Sequence, residues 1–215
     1  MKYLYGLIAL LPLVHGPATA QEHAIGARIG MLGIGIEYSY SLSERLAVRG
    51  MLYGSSYSFD ATESGIDYDF SLNFDSIGAA IDLHPLTGPF RVSAGLLIND
   101  NSLDAISTPS NDITIGGTVY TPAEVGVLAA GVGFDGTAPF VGIGWDWSRS
   151  KRFGVALDFG IVNQGSPDVT LIATGLLLGD PALAADIALE EAELEASLDD
   201  LDVLPFATLG FTFRF

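Results

Sequence analysis

The chain has no cysteine. No disulfide can staple it, and no thiolate is available as nucleophile or metal ligand. Bases are nearly as scarce: nine lysines and arginines face 26 aspartates and glutamates, for a formal charge of −17. That sign repels a phosphate backbone and excludes nucleic acid as a partner. Of the three histidines, His15 lies in an apolar leader, His23 follows it, and His84 precedes Pro85 at a turn. There is no histidine cluster for a metal and no His-x-Ser pair, so neither a cofactor nor catalysis is expected. A helix-length apolar run is also missing after the leader. The nearest, 161–178, is broken by Asn163, Gln164, Gly165, Pro167 and Asp168, which excludes a helical membrane protein.

What is present is apolar and rich in glycine. Mean hydropathy is +0.40, only 16% of residues are charged, and 26 are glycine. A water-soluble domain of this size needs more surface charge. A barrel with lipid outside and small residues inside accounts for both facts. The first 20 residues read as a secretory signal peptide: Met1-Lys2, an apolar stretch from Tyr3 to Val14, a break at His15-Gly16-Pro17, and the cleavage site Ala18-Thr19-Ala20. Residues 21–215 would then form the barrel domain.

Past the leader, apolar residues alternate with period two, the mark of a strand. Leu32, Ile34, Ile36, Tyr38 and Tyr40 share one face, with Gly33, Gly35, Glu37 and Ser39 on the other. The same holds for Ile77 to Leu83, Phe90 to Ile98, Val141 to Trp147, Phe153 to Ile161 and Leu209 to Phe215. A soluble sandwich alternates too. Here, however, the second face is mostly Gly, Ala, Ser and Thr with isolated charges, which suits a narrow lumen. Aromatic residues also gather near strand ends (Tyr38, Tyr40, Phe90, Trp145, Trp147, Phe153 and Phe215), as in an interfacial girdle.

Connections alternate in length. Leu42–Arg45, Pro85–Pro89 and Ser148–Arg152 are short, while 59–65, 107–135 and 165–203 are long. Strands are expected at about 46–58, 66–83, 90–106, 127–147, 153–163 and 204–215. The stretch 22–42 shows a slip of apolar phase near Gly30 to Gly33. A tight turn there would give two short strands, and a bulge in one long strand would give the same slip. An even count requires two, so the expectation is an all-β, eight-stranded, antiparallel up-and-down transmembrane barrel. Within the long connections, Gly116-Gly117 predicts a hairpin over Ile113 to Tyr120. Asp180-Pro181 predicts the start of an acidic amphipathic helix over 181–202, a helical loop insertion at 180–202 with Leu183, Ile187, Leu194, Leu198 and Leu201 on one stripe. Its acids at Asp199, Asp200 and Asp202 oppose the helix dipole, so it needs packing partners.

Parity places Arg28, Arg49, Arg91 and Arg214 in the lumen with Glu37, Asp82, Asp146 and Asp158. Four charges of each sign suggest a network that fills the interior, since eight strands enclose only enough room for side chains. Glycines on the same face, such as Gly33, Gly35, Gly142, Gly144 and Gly210, argue for a narrow wet path instead. Asp60, Glu63, Asp67 and Asp69 form an acidic patch without calcium-loop spacing, read as a solvated surface with cations loosely bridging to lipopolysaccharide.

Taken together, Leu32-Gly-Ile-Gly-Ile-Glu-Tyr38, Leu46-Ala-Val-Arg49, Pro139-Phe-Val-Gly-Ile-Gly-Trp145 and the terminal Leu209-Gly-Phe-Thr-Phe-Arg-Phe215 resemble the small Gram-negative outer-membrane barrels of the OmpA/OmpX/opacity type. The resemblance implies a monomer in the outer membrane, surrounded by lipid and lipopolysaccharide. It also implies that Phe211, Phe213 and Phe215 are the C-terminal signal read by the barrel-assembly machinery. Such barrels serve as anchors, adhesins, small pores and enzymes, so function is not carried over. The expectation is a non-enzymatic barrel with a structural or surface-interaction role. The alternatives are a small porin-like channel or carrier for small apolar solutes and, behind it, a lipid-modifying enzyme.

Overall fold

The computed structural model describes residues 22–63, 66–86 and 88–215. The leader expected at 1–20 lies outside the described residues. Strands β1 (His23–Gly30) and β2 (Gly33–Ser41) are joined through Met31 and Leu32. Gly33, at φ 96°, takes a conformation costly for any residue with a Cβ. The phase slip is therefore a turn, not a bulge. Then come β3 (Leu46–Glu63), β4 (Ile66–Leu83) and β5 (Phe90–Ser107). The expected loop at 59–65 is corrected: β3 and β4 stay paired in one unbroken register from Leu46↔Leu83 to Glu63↔Ile66.

The hairpin expected around Gly116-Gly117 is present as β6 (Ile113–Ile115) and β7 (Thr118–Tyr120). Both glycines have positive φ, 55° and 86°, as a tight primed turn requires. A one-turn helix α1 (Pro122–Val125) leads into β8 (Leu128–Asp146), β9 (Phe153–Asn163), β10 (Asp168–Ala173), helix α2 (Pro181–Ser197) and β11 (Val203–Arg214). The strand order β8-β5-β4-β3-β2-β1-β11-β9, with β8 also paired to β9, closes an eight-stranded antiparallel barrel. Closure leaves no open edge in the wall. Strand β10 is an addition that spans nothing. It pairs with Leu128–Gly133 at the start of β8, whereas β9 pairs with the far end, Phe140–Asp146.

The three turns expected to be short, both described chain ends and most of the girdle aromatics sit at one end of the barrel; the two-residue turn at Met31-Leu32 lies at the other. There Phe90 packs on Trp145 and Phe153 on Phe213, with ring centroids 5.5 and 4.8 Å apart. Along the lower wall the outward residues are apolar and exposed, among them Ile25, Ile36, Leu52, Ile81, Leu96, Val141 and Leu209. No helix among the described residues is long and apolar enough to cross a membrane. The strand wall carries the apolar belt instead, as a lipid-facing surface must.

Four strands continue past this belt, and there the apolar phase inverts. In β4, Ile77, Ile81 and Leu83 point outward. Tyr68, Phe70, Leu72 and Phe74 lie on the opposite face, the face of lumen-lining Ala80 and Asp82. The pairing register is unbroken, so the sheet has not flipped; the solvent has changed. Beside lipid the apolar face must look out. Beyond it the outer face meets water, so Asp67, Asp69, Ser71, Asn73 and Asp75 take that side. β3, β5 and β8 switch in the same way at Tyr57, Leu103 and Phe134.

The outer segments build a second apolar core. Ile115, Tyr120, Val125, Ala173 and Leu183 are buried together, with Leu128, Leu171 and Ile187 against them. Asp180 caps α2 by accepting from the N–H groups of Ala182 and Leu183, with Pro181 next in line. The helix ends at Ser197, not 202, and a 3-10 turn covers Asp199–Asp202. Acids at a helix C-terminus oppose its dipole, and the chain must turn there to enter β11. The expected stripe is corrected accordingly: Leu183 is buried and Ile187 packs beside it, but Leu201 is exposed.

Candidate functional site

Six strands each send one charge to the same level of the lumen, and these six alternate around a closed ring. Glu37 lies between Arg28 and Arg49, at 2.9 and 2.8 Å. Asp82 bridges Arg49 and Arg91, at 3.0 and 3.5 Å. Asp158 bridges Arg91 and Arg28, at 2.7 and 3.9 Å. Three positive and three negative groups cancel, and all six are buried. A charge taken from water is costly unless it is paired and its remaining lone pairs and protons are bonded. Neighbouring side chains meet most of that need, and Arg28 Nε is left without a hydrogen bond. Tyr53 donates to Glu37 at 2.6 Å and Ser93 to Asp82 at 2.6 Å, while Arg28 donates to Thr212 at 3.1 Å. Nearer the short turns, Arg214 lies 3.3 Å from Asp146, and Asp146 also accepts from the hydroxyl and N–H of Ser148.

The lumen glycines are not empty space. Gly35 stands opposite Tyr53, Gly95 opposite Phe140, and Gly160 opposite Phe206, and a Cβ on each would run into the ring beside it. Gly210 is covered by Arg28 in the same manner, and Gly144 by Asp158. These five large inward side chains lie down on the bare backbone of the glycine paired with each, so the glycines let the lumen close.

Above the ring sits an apolar layer that charge parity alone had not singled out: Leu32, Met51, Tyr53, Leu97, Phe140, Val162 and Phe206. Met51 and Tyr53 share a strand face with Arg49, Leu97 with Arg91, Val162 with Asp158, Phe140 with Asp146 and Phe206 with Arg214, so the same parity count marks them once apolar residues are followed as well as charges. Between ring and apolar layer remains a cavity of about 10 Å³, room for about one water.

At the seam between first and last strands, the N–H of Phe215 donates to the carbonyl of His23 at 2.8 Å, and the N–H of His23 donates back at 3.2 Å. Phe215 stacks on His23 and on Phe213, while Phe211 is exposed on the outer wall. His23 Nδ1 is 2.6 Å from the Tyr38 hydroxyl, and buried His84 places Nδ1 3.0 Å from the carbonyl of Phe90. Burial and the nearby Arg149 lower the pKa of His84.

On the outer side, α2 acts on sheet and hairpin through its carboxylates. Glu191 accepts from the N–H of Leu171 at 2.7 Å and Glu195 from that of Val169 at 3.2 Å. Four residues along a helix and two along a strand both advance about 6 Å, so the two acids match two outward N–H groups of β10. Glu190 accepts from the N–H of Gly116 at 2.9 Å, and Asp186 accepts from the Tyr120 hydroxyl at 2.6 Å. The hydrogen bond from Tyr120, with a second from Thr118, holds the Asp186 carboxyl below its usual range, and the same bond pushes Tyr120 up to about 12. Of the acidic patch, Asp60 and Asp69 are cross-strand partners, and Asp67 accepts from Thr62 at 2.7 Å. No metal-holding group of acids and histidines occurs among the described residues.

No protein-family model matches the chain, and no curated protein matches it. Solved structures do. The crystal structure of CarO2 from Acinetobacter baumannii is 22% identical with a TM-score of 0.62, covering 90% of this chain and 98% of that one. CarO from the same organism is 19% identical with a TM-score of 0.61, covering 91% and 98%. The attachment invasion locus protein Ail of Yersinia pestis, solved with the heparin analogue sucrose octasulfate, gives 14% and 0.38 over 90% and 94%. What this chain shares with the two Acinetobacter proteins is its fold.

Proposed function

We propose that this chain is an outer-membrane barrel with a closed lumen, whose acidic outer cap is its working surface. The role is non-enzymatic: structural anchoring below, surface interaction above. One observation carries the reading. The lumen is stopped twice over, by a neutral six-charge ring and by the apolar layer on it, with about 10 Å³ left between them. A steady ionic current needs a continuous water column, which neither layer leaves. Exposed apolar strands, short turns gathered at one end and the terminal Phe211, Phe213 and Phe215 support assembly into the outer membrane behind a leader at 1–20. The short-turn end then faces the periplasm and α2 faces outward. Lipid and lipopolysaccharide surround a monomer, and the barrel-assembly machinery reads the terminal phenylalanines.

Purified protein in a planar bilayer tests the reading. It is expected to give no stable conductance. Reproducible single-channel steps from the unaltered protein would overturn it in favour of a small pore. Recovery of the protein from the soluble periplasmic fraction would overturn the membrane assignment itself.

A further inference from the structure

The four strands that rise past the belt leave an apolar trough on their concave face. Leu72, Phe74 and Leu103 are half-buried there, Phe59 stacks on Phe70 with centroids 5.1 Å apart, and Tyr57 and Phe59 are 52% and 50% exposed. One end of this face is already occupied. Helix α2 seats Leu183 and Ile187 against Leu128, Leu171 and Ala173, the concave residues of β8 and β10. Over β3, β4 and β5 no such helix lies on it among the described residues.

Size and charge say what fits. Ten residues of paired strand, 54–63 against 66–75, give a trough roughly 30 Å long, and the strands on either side of β4 lie about 10 Å apart. A helix with side chains is about 10–12 Å wide, and about 20 residues of it span that length. The outer part of the chain carries charge of one sign: segments 54–76, 99–136 and 163–204 contain 20 acidic residues and no lysine or arginine. Of these, Asp60, Asp67, Asp69, Asp75, Asp100 and Asp104 lie on the opposite face of the trough's strands, so they attract a cation in the trough through the field across the sheet and not by contact. Every base past the leader lies in the lumen or in a short turn.

The geometry points to a cationic amphipathic helical peptide as the occupant, its apolar face on Phe59 and Phe70 and its lysines or arginines turned away from the trough floor, held by the net negative charge of the outer segments. α2 is the intramolecular precedent: a helix is held at one end of this face by apolar contacts. This deepens the surface-interaction reading and rests on it for the outward orientation alone.

The test uses the full chain in nanodiscs of zwitterionic lipid and a fluorescent leucine-lysine helical peptide. Its leucine-glutamate twin and empty discs serve as controls. Loaded discs are expected to bind the cationic peptide in excess of empty discs and to ignore the twin. Affinity should fall at least about tenfold between about 0.01 and about 0.15 M salt, where the Debye length shrinks from about 30 to about 8 Å. F59S/F70S should lose binding by a similar factor, and exposed Tyr57→Ser, which stays clear of the stacked pair, should weaken it in the same direction. Equal binding by empty discs or by the twin, or unchanged binding by both variants, overturns the proposal. So does self-association of the protein that F59S/F70S abolishes, which would assign the face to a second copy. Failure here leaves the closed lumen standing, and a conducting lumen would leave the trough untouched.

Discussion

Arg91 and Asp158 meet across the bare backbone of Gly144. Gly144 is the register partner of both, and Nη2 of Arg91 reaches the two carboxylate oxygens of Asp158 at 2.8 and 2.7 Å. Two large charged side chains can close over one position only because that position carries nothing. The lumen repeats this arrangement between charge and glycine, and between aromatic ring and glycine, around the wall.

The ring should behave as a unit. Arg91→Ala or Asp158→Ala alone should destabilise the barrel by about 3–5 kcal/mol, because each leaves the buried ring with one charge uncompensated. Replacing both together, as Arg91→Met with Asp158→Leu, should cost far less than the sum. The readout is the temperature at which the folded, fast-migrating band is lost on a denaturing gel. Additive losses would show that the ring's members do not depend on one another.

Gly144→Val should be worse than its exposure suggests. Its new side chain would meet the Asp158 carboxylate and the neighbouring strand. Overpacking of a filled interior costs about 1–3 kcal/mol, before any loss from the displaced ion pair. Gly50, which has nothing within 4 Å of its Cβ position, is the control and should accept alanine without a measurable shift in the same gel assay.

The edge of β10 is guarded by carboxylates, not by another strand. Glu191→Ala should expose the N–H of Leu171 while leaving that of Val169 with Glu195. Hydrogen exchange at Leu171 should quicken by about tenfold for each 1.4 kcal/mol lost, and a single hydrogen bond contributes on the order of 1 kcal/mol. Equal acceleration at both amides would mean that the whole helix had left the sheet.

The Tyr120–Asp186 bond sets a pH window for the cap. Asp186 is lowered on folding, so its contribution is present above the unfolded value near 3.8 and lost as pH falls through the lower folded value. Tyr120 is raised from 10 to about 12, so its contribution is complete below pH 10 and lost as pH climbs through about 12. Spectrophotometric titration should find that Tyr120→Phe removes one tyrosine from the late-ionising fraction. A titration in which the variant loses only an ordinary tyrosine would sink this account.

Topology can be read from intact cells. Glu193 is exposed on α2, and a cysteine placed there should react with an impermeant thiol reagent without breaking the outer membrane. Labelling only after lysis would put α2 on the periplasmic side and reverse the barrel.

The barrel was legible in the sequence because a wall one residue thick has a rigid period of two. Arg28, Glu37, Arg49, Asp82, Arg91 and Asp158 could be assigned to the inside by counting parity alone, and Gly116-Gly117 and Asp180-Pro181 announce their turn and cap locally. The inversion of apolar phase in β4, from Tyr68-x-Phe70-x-Leu72-x-Phe74 to Ile77-x-Ala79-x-Ile81, was written there too. Its meaning depends on where lipid ends, which no local pattern states. What only the tertiary structure decided is contact across the lumen. Parity cannot tell that Glu37 reaches both Arg28 and Arg49, that Asp158 closes the ring, or that Gly35, Gly95 and Gly160 are floors for Tyr53, Phe140 and Phe206, because those relations depend on the stagger of neighbouring strands. The same stagger and the helix pitch bring Glu191 and Glu195 to β10 from about 20 residues further along the chain. Face follows from the period of a single strand, whereas partnership follows from how eight strands are sheared against one another when the barrel closes.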